Sequence, residues 1–169
     1  MPVSQHSTAS SEDSTTSPCL LARIDNARIV VTLLKAIAFK EKAICLITGK
    51  GFKFTVEDSK CVQAHAYLQE NLFQEFAFTE EVLTFGVNLT ILTDCLNIFG
   101  SSTAPVSLRI SCLGYGHPLI LMLEDGGVVT RCKINTLEPD PFADFDFKSS
   151  PVMNKIIIQV KLFFFFLNF

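Results

Sequence analysis

The chain has 169 residues, which is enough for one ordinary domain or for two very small ones. Hydrophobic residues make up 49% of the sequence and charged residues 18%, which excludes a globally disordered protein. The formal net charge of −3 excludes a uniformly basic nucleic-acid coat protein. The charge is uneven, however: residues 19–60 hold eight basic and four acidic side chains, whereas residues 61–169 hold six and eleven. The composition therefore allows one basic surface that faces an anion.

Residues 1–18 contain nine Ser or Thr and almost no apolar side chains. We predict that this segment is disordered, because it cannot bury enough surface to offset its ordering entropy. The ordered part is predicted to begin with a strand at 19–24, and Asp25 or Asn26 caps the helix that follows. The apolar stripe of this helix is predicted from i, i+3, i+4, i+7 spacing. It consists of Val30, Leu33, Leu34 and Ile37.

Alternating and apolar runs then predict three strands, a connecting stretch and a further strand. The strands are placed at 43–48, 52–56, 61–68 and 82–87, with the connecting stretch at 73–79. The same order of elements now repeats. Asn88 caps a second helix that Gly100 closes at the C′ position, and its stripe is Leu89, Leu92, Leu96 and Phe99. Three more strands are placed at 106–112, 118–123 and 128–136.

A strand, a helix and three strands, occurring twice, predict an α+β domain over residues 19–136. In this domain two helices lie on one face of antiparallel sheet. Six cysteines accompany these elements, and none has the Cys-x-x-Cys spacing of a zinc site. We expect reduced thiols without a metal or a disulfide framework, since no secretory signal precedes them. The cysteines are Cys19, Cys45, Cys61, Cys95, Cys112 and Cys132.

Two sets of side chains are candidates for function. Arg28, Thr32 and Lys35 share the polar face of the first helix, where two cations are either solvated surface or a contact for DNA phosphates. Residues 137–153 carry several carboxylates, among them Asp144 and Asp146, and three prolines. They are predicted to form an acidic, extended connector, and the alternative is a divalent-metal site for nuclease chemistry. Because no His or Lys base lies close by, we expect no enzyme and no cofactor.

Several stretches together resemble the family of eukaryotic sliding clamps with the proliferating-cell-nuclear-antigen fold. The second helix is similar to the clamp motif in Gly86-Val87-Asn88-Leu89-Thr90. Within the family, the resemblance is to the Rad-one type of subunit in the heterotrimeric nine-one-one checkpoint clamp. It extends from about residue 20 to 159. The stretches that carry it are 34–39, 56–64, 92–102 and 126–136.

The resemblance implies a nuclear subunit of a DNA-damage clamp that recruits checkpoint and repair factors. Its implied partners are the Rad-nine and Hus-one types of subunit, a clamp loader, and double-stranded DNA bound without sequence specificity. The resemblance implies no association with a membrane. Arg28, Thr32 and Lys35 would face the DNA. The strand with Val129, Arg131 and Lys133 would pair with the neighbouring subunit. An exonuclease activity has also been proposed for the family.

The end of the sequence departs from this resemblance. Residues 154–159 are expected to be the first strand of a truncated second clamp domain, and residues 160–169 an unrelated hydrophobic tail with five Phe. We expect a truncated isoform, for which two interpretations remain open. It either joins the clamp or sequesters a partner subunit without clamp function.

Overall fold

The computed structural model of the chain describes residues 17–100, 104–143 and 151. Nine strands and two α-helices occur in this part of the chain, together with a 3-10 turn at Glu70–Leu72. The helices are α1 (Ala27–Ile37) and α2 (Leu89–Leu96). The strands are β1 (Leu20–Ile24), β2 (Lys42–Thr48), β3 (Gly51–Asp58), β4 (Val62–Gln69), β5 (Glu75–Phe78), β6 (Val82–Asn88), β7 (Ser107–Cys112), β8 (Leu119–Asp125) and β9 (Val128–Ile134).

The strands form two antiparallel sheets. One has five strands in the order β5-β1-β7-β8-β9, and the other has four in the order β4-β3-β2-β6. The two helices pack against each other; α1 also contacts β4, and α2 contacts β6, β8 and β9. The α+β class and the twofold strand–helix–three-strand order are thus confirmed. The sequence pattern did not indicate that the strands divide between two sheets.

Helix α1 is capped by Asn26, whose side chain accepts a hydrogen bond of 3.1 Å from the Arg28 backbone N–H. Its buried residues are Ala27, Val30, Val31, Leu34 and Ile37. The prediction that Leu33 belongs to the core stripe is wrong, because 36% of its surface is exposed. Val31 occupies the core in its place. The apolar run Ile29–Val31 and the pair Leu33–Leu34, on either side of Thr32, allow either orientation. Packing against α2 and the sheets selects one.

Helix α2 begins as predicted at the Asn88 cap, whose side chain accepts from the Ile91 N–H at 3.0 Å. Leu89, Leu92 and Leu96 are buried. The helix ends earlier than predicted, with Asn97 as its C-cap, so Gly100 is not at the C′ position. Gly100 instead adopts a φ of 57° in the turn that follows, where its N–H bonds the Asn97 carbonyl at 2.8 Å.

The predicted connecting stretch at 73–79 contains a strand, β5, which pairs with β1 at the edge of the five-stranded sheet. Its four residues, Glu-Phe-Ala-Phe, alternate between exposed and half-buried positions. The two half-buried residues, Phe76 and Phe78, pack against the core. A four-residue edge strand with no fully buried side chain gives a weak signal in the sequence, because its pairing with β1 is long-range.

The core lies between the sheets and the helices, and Leu20, Leu34, Leu108 and Leu121 are fully buried in it. Three of the six cysteines, Cys19, Cys45 and Cys112, are buried with them, and all six are free thiols. Cys61 is exposed. No helix among the described residues is long and apolar enough to cross a membrane.

The segment 137–143 crosses the four-stranded sheet. Leu137 forms two backbone hydrogen bonds with Gly86 of β6, at 2.7 and 2.8 Å. Asp140 pairs with Lys42 of β2 at 2.5 Å. The Ala143 N–H donates to Glu57 of β3 at 2.9 Å, and Gln63 of β4 donates to its carbonyl at 3.0 Å. Each strand of this sheet thus contributes one attachment point for the segment.

Candidate nucleic-acid and subunit interface

The polar face of α1 presents two cations. Arg28, Thr32 and Lys35 are all exposed. Since a helix turns by about 100° per residue, Arg28 and Lys35 lie only about 20° apart around its axis. No acidic oxygen of the described residues lies within 4.0 Å of either cation. The structure therefore brings the two predicted cations together on one unneutralised face.

Thr32 differs from its two neighbours in what it can offer a ligand. Its hydroxyl donates a hydrogen bond of 2.8 Å to the Arg28 carbonyl one turn earlier. The donor of the side chain is thus already used, and the oxygen can only accept. A phosphate oxygen also only accepts, so this face offers a phosphate backbone two contacts, from Arg28 and Lys35.

The remaining exposed surface of the helices carries little charge. Ile29 and Leu33 flank the cations on α1, with 39% and 36% of their surface exposed. On α2 and its C-cap the exposed polar residues are Thr90, Asp94 and Asn97, none of which is a cation. The positive potential of the helix pair therefore comes from α1.

Strand β9 is an edge of the five-stranded sheet, since only its β8 side pairs within the described residues. Val129, Arg131 and Lys133 alternate along it and are all exposed. The intervening Thr130, Cys132 and Ile134 face inward and are half-buried or buried. A free backbone edge flanked by charged side chains can accept a further strand, and the charges discourage unspecific pairing.

The inner face of β9 contacts α2 through two free thiols, Cys132 on β9 and Cys95 on α2. Burial, together with a hydrogen bond and an electrostatic interaction with the neighbouring Cys132 thiol, raises the pKa of the Cys95 thiol to about 11. Both side chains pack against the hydrophobic core. Because side chains alternate along a strand, the inward position of Cys132 means that Val129, Arg131 and Lys133 point away from α2.

The sequence did not predict a groove of about 520 Å³ between the segment 137–143 and strands β2 and β3. Its lining includes Lys42, Ile44, Glu57 and Phe142. At its rim Lys40 pairs with Asp58 at 3.1 Å. Hydrogen bonds from Ser59 and Lys40 lower the pKa of the Asp58 carboxyl. No local signal could have revealed this groove, since it exists only where 137–143 crosses the sheet.

The carboxylates considered for metal binding are only partly within the described residues. Among those residues no group of three His, Cys, Asp or Glu side chains is arranged to hold a metal ion. Glu138 accepts a hydrogen bond from the Tyr115 hydroxyl and Asp140 pairs with Lys42. Asp144 and Asp146 lie outside the described residues, as do the segments predicted at 154–159 and 160–169.

Comparison with protein families gives a match over residues 19–168 to the model described as repair protein Rad1/Rec1/Rad17. The matched range includes most of residues 160–169, so it lends no support to the prediction that this segment is unrelated to the family. The mouse cell cycle checkpoint protein RAD1 is 58% identical over 144 residues, which cover 83% of this chain and 51% of the mouse protein. The chain thus spans about half the length of this relative.

One more distant relative is named as an exonuclease. The DNA repair exonuclease REC1 of Mycosarcoma maydis is 34% identical over 67 residues, which cover 39% of this chain and 14% of that protein. This similarity extends over less than half of the chain.

Two solved structures share the fold. The proliferating cellular nuclear antigen of Entamoeba histolytica has a TM-score of 0.64 at 14% identity, covering 73% of this chain and 49% of that one. The PCNA2–PCNA3 complex of Sulfolobus tokodaii also has a TM-score of 0.64, at 17% identity, covering 75% of this chain and 50% of that one. The sliding-clamp fold predicted from the sequence is therefore confirmed.

Proposed function

The chain belongs to the family of repair proteins Rad1/Rec1/Rad17, and we propose that it supplies one domain of a heterotrimeric DNA-damage clamp. The observation that carries this proposal is the separation of two surfaces in one clamp domain. The cations Arg28 and Lys35 lie on helix α1, and β9 is a strand whose outer edge pairs with no other strand of the described residues. A ring needs both surfaces, since its helices face the DNA and its edge strands join neighbouring subunits.

Within this proposal the neighbours are subunits of the Rad-nine and Hus-one types, and a clamp loader places the ring on double-stranded DNA in the nucleus. The residues 137–153 form the connector to the second half of a clamp subunit. The ring serves as a platform for checkpoint and repair factors and does not itself catalyse a reaction. The checkpoint protein RAD1 of mouse supports this assignment by its name and its similarity.

The first prediction concerns β9 as the subunit interface. When the 169-residue chain is co-expressed with tagged subunits of the Rad-nine and Hus-one types, we expect it to co-purify with at least one of them. A Val129→Asp, Lys133→Glu variant should lower the recovered amount by about tenfold, because it places negative charge at the edge where a strand must pair. Recovery is measured by quantitative blotting of the purified complex.

A matched control keeps the charge change but moves it to the other sheet. Val82, like Val129, has 55% of its surface exposed, and Lys50 lies in an exposed turn nearby. The Val82→Asp, Lys50→Glu variant should co-purify as the parent does. Equal losses in the two double variants would refute the assignment of β9 as the interface.

The second prediction concerns the DNA-facing helix. Because Arg28 and Lys35 are the two phosphate contacts of this face, an Arg28→Gln, Lys35→Gln variant should bind DNA with a weaker salt dependence. The slope of log K against log salt should become shallower by roughly 1.8, at about 0.9 for each lost contact. The measurement is the fluorescence anisotropy of a labelled 30-base-pair duplex titrated with the chain at several salt concentrations.

The control for this experiment is Lys50→Gln, Lys60→Gln, which removes the same charge from turns of the four-stranded sheet. Its slope should match that of the parent chain, and affinities should not depend on the duplex sequence. If both double variants change the slope equally, the binding is a general charge effect and the helix face has no special role.

The name of the REC1 relative favours a second candidate function, a DNA exonuclease. Incubation of the purified chain with a labelled duplex and Mg²⁺ tests it directly. Degradation that disappears in an Asp144→Asn, Asp146→Asn variant would establish the enzyme and replace the non-catalytic platform. An intact duplex under these conditions favours the platform.

A further inference from the structure

Three arginines stand in one row across the outer face of the five-stranded sheet. The strand register places Glu75, Arg23, Arg109, Met122 and Arg131 directly opposite one another, from β5 to β9. Neighbouring residues in such a row have Cβ atoms about 5 Å apart. The row exists only in the folded sheet, since its members come from five separate strands.

All five side chains point away from the core. The residues on either side of Arg109 in β7, Leu108 and Ile110, are buried, and so are the neighbours of Met122, Leu121 and Leu123. On β9 the inward residue is Cys132, which contacts Cys95 of α2. The row therefore lies on the face opposite to α2 and is separate from the cations of α1.

Most of the positive charge in this row is not neutralised. Arg23 pairs with Asp25 at 3.4 Å and with Glu75 at 3.5 Å. In the part of the chain that the structure describes, no acidic oxygen lies within 4.0 Å of Arg109 or Arg131. Arg23 and Arg109 are also direct cross-strand neighbours, an arrangement of like charges that weakens a sheet. Positions that oppose folding in this way are expected at sites of function.

A groove of about 240 Å³ lies beside the central part of the row and ends before Arg131. It is lined by Arg23 and Arg109, by the apolar side chains of Met122 and Val129, and by Ser107 and Glu124. Met122 and Val129 are 37% and 55% exposed. The groove therefore combines guanidinium groups with an accessible apolar floor.

We propose that this arginine row binds a short acidic peptide segment of a partner protein, with carboxylates on Arg109 and Arg131 and an apolar side chain on Met122. Each guanidinium offers a fork of N–H donors that matches a carboxylate. Arg109 and Arg131 are two strands apart, roughly 10 Å, which an extended peptide spans in about three residues. One apolar residue between two acidic residues fits this spacing.

The same features disfavour nucleic acid as the occupant. Glu75 and Glu124 lie in or beside the row and confine its positive charge to a short stretch, which suits a segment with two carboxylates better than a long, continuous phosphate backbone. The apolar floor gives no advantage to a duplex, whose outer surface is charged. Pairing of β9 with a strand of a neighbouring subunit would leave the arginine row accessible. The added strand would bind the backbone edge of β9, whereas the Arg131 side chain projects from the face of the sheet.

The experiment uses the full chain and two fluorescein-labelled peptides, DEDLEDE and its uncharged counterpart NQNLQNQ. At 150 mM salt we expect the chain to bind the acidic peptide in fluorescence anisotropy and to bind the uncharged one at least tenfold more weakly. An Arg109→Gln, Arg131→Gln variant should lose about tenfold in affinity for the acidic peptide. Arg109→Lys keeps the charge but not the fork and should lose less.

The control variant Lys50→Gln, Lys60→Gln carries the same change of charge away from the row and should bind the peptide as the parent does. Far-UV circular dichroism verifies that every variant remains folded. An equal loss in the control variant would overturn the proposal, as would binding of DEDLEDE that survives the double arginine change. The proposal is also overturned if the arginine change weakens binding of a 30-base-pair duplex as strongly as that of the peptide.

Discussion

A Gly51→Ala variant is expected to lose about 3 kcal/mol of unfolding free energy. Gly51 begins β3 with a φ of +116°, which residues with a Cβ atom rarely adopt. A Cβ atom at this position would lie 2.1 Å from the carbonyl oxygen of Leu68 on the adjacent strand β4. Because the obstacle is backbone, no change of side-chain rotamer relieves it, and the pairing of β3 with β4 must shift.

The matched control for this change is Gly49→Ala in the same turn. A Cβ atom at Gly49 would have no neighbour within 4 Å. Its effect should stay within about 0.5 kcal/mol, as for most exposed substitutions. Urea unfolding followed by circular dichroism gives both free energies, and equal values for the two variants would contradict the role assigned to Gly51.

A Leu34→Ala variant should lose about 2–5 kcal/mol, because it removes a fully buried side chain and leaves a cavity in the core. Leu34 lies on the side of α1 that packs inward with Val30 and Ile37. The loss is expected as a lower urea midpoint at an unchanged slope of free energy against urea, since the folded and unfolded surfaces stay the same.

Leu33→Ala is the internal comparison for this prediction. Leu33 precedes Leu34 on the same helix and has the same chemistry, but it is partly exposed. Its replacement should cost less than about 1 kcal/mol, since alanine also favours the helix. Equal losses for Leu33 and Leu34 would mean that both leucines are buried, as the sequence predicted, and would contradict the observed orientation of α1.

These two leucines also mark the limit of what the sequence predicts about the fold. Helix starts were found because Asn26 and Asn88 cap by a local interaction within two or three residues. The strands were found by alternation. The orientation of α1 and the existence of β5 depend on residues far along the chain, and a local pattern contains no information about them.

The residues of the candidate site also separate into those that a local pattern predicts and those that only long-range contacts bring together. Arg28 and Lys35 were predicted together because helical periodicity alone places them on one face. The arginine row could not be predicted, since Arg23, Arg109 and Arg131 become neighbours only through the register of the sheet. The groove along 137–143 was missed for the same reason, as it depends on where that segment crosses the four-stranded sheet.

The crossing of that sheet by residues 137–143 has a mechanical consequence. Its attachments, at Gly86, Lys42, Glu57 and Gln63, follow one another along the segment. A force applied at Ala143 away from the sheet would first load the two hydrogen bonds of Ala143, then the Asp140–Lys42 pair and last the Leu137–Gly86 bonds, as in peeling. The segment can thus be lifted in steps from β3 and β4 towards β6, without first breaking the hydrogen bonds that pair the strands with one another.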